Sequence, residues 1–231
     1  MIRAVLLDLD DTLLDTNMDQ FIPVYFDALS RKMKDYLPPK DMINLVLEGT
    51  KEMIQNRDSS KTNKEVFDGY FYPRLEYPAS VVQPVIDSFY EDQFPILKKY
   101  TSPIPIAREF VSELLKWGCQ VVIATNPLFP ARAIEHRIDW AGLSDFSFSL
   151  ITTYENSHFC KPDPNYFKEI LTKLNVEPEE TIMIGNDLEN DIKPAKEAGL
   201  HAYWINNNQG ELQGSLEKCF EWVRFGGFTK L

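Results

Sequence analysis

The sequence predicts an α/β protein: a parallel sheet covered by helices, interrupted near its start by an all-helical segment. Three observations carry this. The chain opens on an apolar run, Ala4-Val-Leu-Leu, that meets carboxylates at once. Helix-period patterns then fill residues 16–100, and from Thr101 onward short apolar runs alternate with amphipathic helices. Strands separated by helices imply parallel pairing, right-handed crossovers and a sheet covered on both faces. The chain therefore divides into an α/β unit over 1–15 and 101–231 and a helical unit over 16–100.

The first strand ends in Asp8-Leu9-Asp10-Asp11-Thr12. Side chains at i and i+2 leave a strand on one side, so Asp8 and Asp10 can share a direction while Leu9 stays with the core. Two carboxylates in one site cannot both ionise cheaply, which gives a nucleophile or metal ligand beside a proton donor. The plainer reading of Asp-x-Asp is a turn former, so the later polar stretches decide between them.

In the helical unit, Ile22, Tyr25, Phe26, Leu29, Met33 and Tyr36 form one apolar face, ended by Pro38-Pro39. A second face runs through Ile43, Val46, Leu47, Thr50 and Ile54. A shorter helix is expected from Lys64 to Tyr72, stopped by Pro73, and a fourth from Val81 to Leu97 with Pro84 in its first turn. The aromatic residues read as core rather than substrate cage. Lys32, Lys51, Arg57 and Arg74 read as solvated surface.

The α/β unit resumes with a helix over Pro105 to Trp117, carrying Ile106, Phe110, Leu114 and Trp117 on one face and ending at Gly118. Val121-Val-Ile-Ala124 is a buried strand running into Thr125-Asn126-Pro127. A helix from Ala131 to Trp140 is closed by Gly142, and a strand follows over Phe148 to Thr152. Asp163 is a good N-cap with Pro164 at the first helical position, for a helix to about Leu174. The strand Thr181-Ile-Met-Ile184 breaks at Gly185 into Asn186-Asp187-Leu-Glu-Asn-Asp191, and the next helix ends at Gly199. Ala202 to Ile205 is the last clear strand, and the tail from Gln209 reads as a loop and one helix.

Composition narrows the function. The 231 residues are 44% hydrophobic, with no apolar run near the roughly 20 residues a membrane span needs. A net charge of -11 opposes broad binding to nucleic acid or anionic membranes. An anionic small substrate would need a local cationic pocket or a metal. Cys119, Cys160 and Cys219 have no metal-ligand spacing and read as reduced, mostly structural thiols. His136, His158 and His201 show no partner pattern. A strand beginning by residue 4 leaves no room for a signal peptide, so a cytoplasmic location is expected.

Ligands of such sheets bind at the carboxyl ends of the strands, near a switch in strand order. Asp8/Asp10, Thr125/Asn126 and Asn186/Asp187/Asp191 all fall there, and Lys161, just before a helix, can join them. Each cluster alone has a bland reading as a turn, a surface lysine or a helix start. Together they point to chemistry.

In order and separation these stretches resemble the motifs of the haloacid dehalogenase superfamily of aspartate-dependent hydrolases, mostly phosphatases. Asp8-Leu-Asp10-Asp-Thr12 looks like the first motif, Thr125 the second, Lys161 with Pro-Asp-Pro the third, and Gly185 to Asp191 the fourth. The helical unit is similar to the cap of the subgroup that includes phosphoglycolate phosphatases, sugar phosphatases and β-phosphoglucomutases. The resemblance implies a Rossmann-like core and a Mg²⁺-dependent phosphatase of a small phosphorylated metabolite. On it, Asp8 forms an aspartyl-phosphate and Asp10 serves as acid and then base. Thr125, Asn126 and Lys161 hold phosphoryl oxygens. Asp8, the Asp10 carbonyl, and Asn186 or Asp187 hold magnesium, supported by Asp191 and Thr12.

The departure from the pattern is Asn186, where many relatives have an aspartate. An amide oxygen can bind Mg²⁺ but adds no charge. The alternatives are a phosphomutase, a 2-haloacid dehalogenase, or a catalytically weak binding protein for which only Asn186 speaks. Asp10 argues against the dehalogenase, because a halide leaving group needs no proton donor. A signalling receiver is disfavoured, because its acceptor follows the third strand and it lacks a cap.

Overall fold

The structure is a computed structural model that describes residues 1–206 and 212–231. Its centre is β1 (Ala4–Leu7), every residue of which is buried. Alternate residues leave it on opposite sides: Val5 and Leu7 join one apolar cluster, Ala4 and Leu6 the other. This two-sided burial is why the strand reads as a continuous apolar run. Past β1 the chain folds back, the Leu9 carbonyl accepting from the amides of Thr12, Leu13 and Leu14. Asp11 takes the left-handed φ of 54° this turn requires, a conformation Asp tolerates better than most residues.

β2 (Leu14–Thr16) pairs antiparallel with β3 (Thr101–Pro103), so the helical stretch leaves and returns through one two-stranded ribbon. Between them lie α1 (Met18–Met33), α2 (Pro39–Gln55), α3 (Asn63–Phe71) and α4 (Ala79–Asp92). Thr62 and Glu65 close a capping box at the start of α3. The fourth helix differs from the sequence reading at both ends. It starts at Ala79, which puts Pro84 inside it, and it stops at Asp92. Pro95 has no N–H to continue the α ladder, and Phe94–Tyr100 winds as a 3₁₀ turn instead.

The chain continues through α5 (Ala107–Lys116), β4 (Gln120–Ile123), α6 (Ala131–Trp140), β5 (Leu150–Ile151), α7 (Pro164–Leu174) and β6 (Thr181–Gly185). It ends with α8 (Lys193–Glu197), β7 (His201–Ile205), β8 (Gln213–Gly214) and α9 (Leu216–Arg224). The sheet is six-stranded and parallel, in the order β5-β4-β1-β6-β7-β8. Phe110 of α5, Ile134 of α6 and Phe220 of α9 pack on one face, Phe167 of α7 and Ala195 of α8 on the other. The expected α/β class with a Rossmann-like parallel sheet is observed.

Other corrections are local. Trp117 is 43% exposed rather than in the core, because α5 ends at Lys116 and Trp117 already belongs to its C-terminal turn. The strand expected over Phe148 to Thr152 shrinks to Leu150–Ile151 at the sheet edge. The tail contains the short strand β8 besides its helix, and the loop expected from Gln209 to residue 211 lies outside the described residues. All three cysteines are free and buried. Among the described residues no helix is long and apolar enough to cross a membrane.

Phe94 joins the helical layer to the α/β layer. It is fully buried. Phe21 and Phe89 meet it edge-on, with ring centroids 6.0 and 6.4 Å away, while Trp140 of α6 stacks on it at 5.6 Å. Such pairs add to the stabilisation from area burial alone. Replacing Phe94 by Ala should cost about 3–5 kcal/mol. Ile96→Ala, at a site 54% exposed, should change stability by less than about 0.5 kcal/mol. Urea unfolding at pH 7 compares the two.

Candidate active site

Parallel register sets the site. Leu7 stands opposite Ile123 on one side and Ile184 on the other, so Asp8, Thr125 and Asn186 emerge together at the carboxyl edge. The Asp8 amide donates to Ile184 O at 3.0 Å, and the Ala124 amide to Leu7 O at 2.7 Å. The Thr125 carbonyl accepts from the hydroxyls of Thr152 and Tyr166, at 2.8 and 2.9 Å, which pins the loop behind it. Asn126 Oδ1 accepts from the Lys161 amide at 3.2 Å, tying the loop after β4 to the one before α7.

Lys161 is 2% exposed, and its Nζ donates to Asp8 Oδ1 at 2.8 Å and Asp191 Oδ1 at 2.5 Å. Burial is the largest influence on Asp8 and raises its pKa to about 6, with Lys161 opposing and Asp191 reinforcing the rise. Burial also works against the Lys161 ammonium, but the charges of Asp191 and Asp8 outweigh it and hold its pKa above the usual lysine value. Asp191 reaches this position because residue 185 is glycine: a Cβ there would lie 2.3 Å from Asp191 Oδ2. Asp191 sits on a π-helical turn, Leu188–Ile192, at whose start the Asp187 amide donates to Asp191 Oδ2 at 3.0 Å.

The remaining expected residues lie around this trio. Thr12 Oγ1 donates to Asn186 Oδ1 at 3.4 Å, and Trp204 Nε1 to Asn186 O at 2.9 Å. Both carboxylate oxygens of Asp187 are engaged within its own turn: Oδ1 accepts from the amides of Glu189 and Asn190, and Oδ2 from the Asn190 side chain. These bonds lower the Asp187 pKa against the opposing effect of burial. Asp10 Oδ1 accepts from Thr16 Oγ1 at 2.9 Å, while Oδ2 is ion-paired with Arg137.

Arg137 was not among the residues singled out from sequence. It is 4% exposed, on α6, and its guanidinium also lies 5.6 Å from the Phe129 ring. Burial lowers its pKa to about 10, with Asp8 opposing the fall. The signal was its position. Arg137 falls in the apolar stripe Ala133, Ile134, Ile138 and Ala141, where a cation requires a buried partner.

The helical layer touches the same loops. Asn63, fully buried at the start of α3, donates through Nδ2 to Pro127 O and Phe159 O, each at 3.3 Å. Asn56 Nδ2 donates to His158 O at 2.9 Å. Arg57, read as solvated surface, pairs with the buried Asp163 at 2.9 Å, two residues past Lys161. His158 has a partner after all, Glu169 at 2.8 Å.

Among the described residues no three His, Cys, Asp or Glu side chains are grouped as metal ligands. The oxygen donors that follow β1 and β6 are of another kind, the Asp8 carboxylate, the Asn186 amide oxygen and the main chain of Asp10. Hard oxygen donors of this sort fit a magnesium ion, with less negative charge than two carboxylates would supply.

A family model described as haloacid dehalogenase-like hydrolase matches residues 2–199. The chain belongs to this family. It is similar to the glyceraldehyde 3-phosphate phosphatase of Pyrococcus furiosus, with 31% identity over 88% of this chain and 80% of the relative. Among solved structures it resembles a haloacid dehalogenase-family phosphatase from Thermococcus onnurineus, at TM-score 0.57, 22% identity and coverage of 98% and 99% of the two chains. A 2-haloacid dehalogenase from Pseudomonas syringae matches equally well in fold, at TM-score 0.58 and 19% identity over 97% and 99%. The fold is therefore common to both chemistries.

Removing the ammonium should expose what it balances. Lys161→Met leaves Asp8 and Asp191 buried without a cation and should cost about 3–5 kcal/mol in urea unfolding at pH 7. Adding Asp191→Asn to that variant should restore part of the loss.

Proposed function

We propose that this hydrolase is a phosphatase that cleaves a phosphomonoester of a small metabolite through an aspartyl-phosphate. The observation that carries the reading is the buried Lys161 ammonium 2.8 Å from Asp8, with a second carboxyl, Asp10, two residues on. A carboxylate beside a fixed cation suits attack on phosphorus, and the second carboxyl suits an alkoxide that needs a proton. A dehalogenase has no use for it. The phosphatase name of the Pyrococcus relative supports the same choice.

Asp8 attacks phosphorus, and the bond to the ester oxygen breaks. Thr125, Asn126 and Lys161 hold the phosphoryl oxygens as charge builds on them. Asp10 gives its proton to the departing alkoxide, a step for which it must leave its ion pair with Arg137. In the second step the Asp10 carboxylate takes a proton from the water that hydrolyses the acyl phosphate, and Arg137 and Thr16 orient it for this role.

Phosphatases of the family generally use a divalent metal. Here the Asp8 carboxylate, the Asp10 carbonyl and the Asn186 amide oxygen would hold magnesium. Asn186 is preferred to Asp187 because both Asp187 oxygens already cap the turn. The ion supplies the positive charge that lets an anionic nucleophile approach an anionic ester. Thr12 steadies Asn186, and Asp191 steadies Lys161. The helical unit, 16–100, serves as a cap over the α/β unit, 1–15 and 101–231, hinged at the β2–β3 ribbon, and excludes water from the closed site. Buried free thiols fit a reducing compartment such as the cytoplasm.

With p-nitrophenyl phosphate and magnesium, Asp8→Asn should lower kcat by at least about a thousandfold while circular dichroism stays native. Near-normal turnover rejects covalent catalysis by Asp8. Asn186→Asp should lower the magnesium concentration for half-maximal activity by on the order of tenfold, since it adds a charged ligand. An unchanged requirement removes Asn186 from the ligand set.

A further inference from the structure

The helical layer is hollow. A cavity of about 220 Å³ lies among α1, α2, α3 and α4 and is closed below by the loop after β4. Ile22, Phe26 and Leu29 of α1, Val46 of α2, Phe67 of α3 and Phe129 of the α/β layer form its apolar wall. The sequence reading assigned such aromatics to core. Phe21, Phe71 and Phe89 are core, but Phe26, Phe67 and Phe129 are only partly buried and face this space. An apolar void forfeits dispersion contacts over its whole lining. One of about 150 Å³ stays dry and takes up benzene.

The cavity adjoins the loop that leads out of the candidate active site, its lining including Leu128, Phe129 and Pro130 just past Thr125 and Asn126. Its wall residue Leu128 donates its amide to Asn126 O at 2.8 Å, in the loop that carries Thr125. Phe129 separates it by one side chain from Arg137 and so from Asp10. Its lining also includes Asp68 and Asp87, and among the described residues Lys64 pairs with Asp68. A ligand with a second anionic group would be repelled there.

We propose that this cavity receives the alcohol portion of the substrate. The substrate class is then a phosphomonoester of an apolar alcohol, with a body of about six to eight carbons by comparison with the benzene-sized void, and with no carboxylate or second phosphate. The inference rests on the phosphatase reading.

The test is a homologous series of unbranched alkyl phosphates from ethyl to hexyl, whose alkoxides differ little in reactivity, run with magnesium beside 2-phosphoglycolate. Each methylene taken into the cavity should raise kcat/KM about fourfold, so hexyl phosphate should exceed ethyl phosphate by on the order of a hundredfold. Phosphoglycolate should fall below ethyl phosphate. Val46→Phe, which fills the cavity, should reduce the hexyl-to-ethyl ratio to less than about tenfold. As a measurement on the unaltered protein, n-hexylphosphonate should inhibit on the order of a hundredfold more tightly than ethylphosphonate. A flat series, preference for phosphoglycolate, equal inhibition by the two phosphonates, or a ratio indifferent to Val46→Phe overturns the inference and leaves the phosphatase reading intact. No turnover of any ester overturns that reading, and the inference with it.

Discussion

One buried ammonium shared between two buried carboxylates constrains this molecule more than any other interaction. Lys161 is enclosed with Asp8 and Asp191, both within hydrogen-bond reach of its Nζ, and taking these groups out of water is unfavourable unless each finds its partner in good geometry. Several otherwise unrelated features serve that geometry. Gly185 lets Asp191 approach, Asn126 anchors the Lys161 amide, and the Ile184 carbonyl holds the Asp8 amide. With two carboxylates against one ammonium, the trio keeps a net negative charge, a setting that suits the arrival of a further cation.

A second ion pair, Arg137 with Asp10, lies beside the first and belongs to a different helix. The carboxyls of the first loop thus face separate cations, Lys161 for Asp8 and Arg137 for Asp10. This division gives chemically identical side chains two residues apart different surroundings, the condition for different roles. The helical layer meets the α/β layer through two unlike seams. Around Phe94 the contact is aromatic and dry, whereas around Asn63, Asn56 and Arg57 it consists of hydrogen bonds and an ion pair to the loops that carry the site. Polar contacts of this kind exchange with water at low net cost, so the polar seam is the one suited to opening.

Fold alone does not choose the chemistry, since a dehalogenase and a phosphatase superpose on this chain with nearly the same score. The choice comes from individual residues. On the proposed mechanism, Asp10 is the proton donor that a halide would not need. On the same mechanism, Asn186 offers an amide oxygen where a carboxylate would bind a dication more tightly. The cavity of the helical layer is the feature that the proposed substrate class rests on, because its wall is mainly apolar and the charged side chains in it, Asp68 and Asp87, are acidic.

Much of this was written in local sequence. A continuous apolar run ending in carboxylates identified β1, period-3.6 patterns located the helices, and Asp163-Pro164 and Gly118 marked helix ends, because each depends on neighbours within a few residues. The site segments were legible for the same reason: each carries its polar residues where a strand stops. Boundaries failed where distant packing or a missing N–H intervened, as at Pro95, Trp117 and the short edge strand β5. By itself the sequence determined the α/β class, the family and which loops carry the carboxylates. Only the tertiary structure decided that Asp8 and Asp191 share Lys161, that Asp10 pairs with Arg137, that Asp187 caps its own turn, and that the helices enclose a cavity. Asp8 meets Lys161, and Asp10 meets Arg137, across more than a hundred residues of chain, the cavity depends on how closely helices pack, and the Asp187 cap depends on the backbone path of its turn, which residue types alone do not fix.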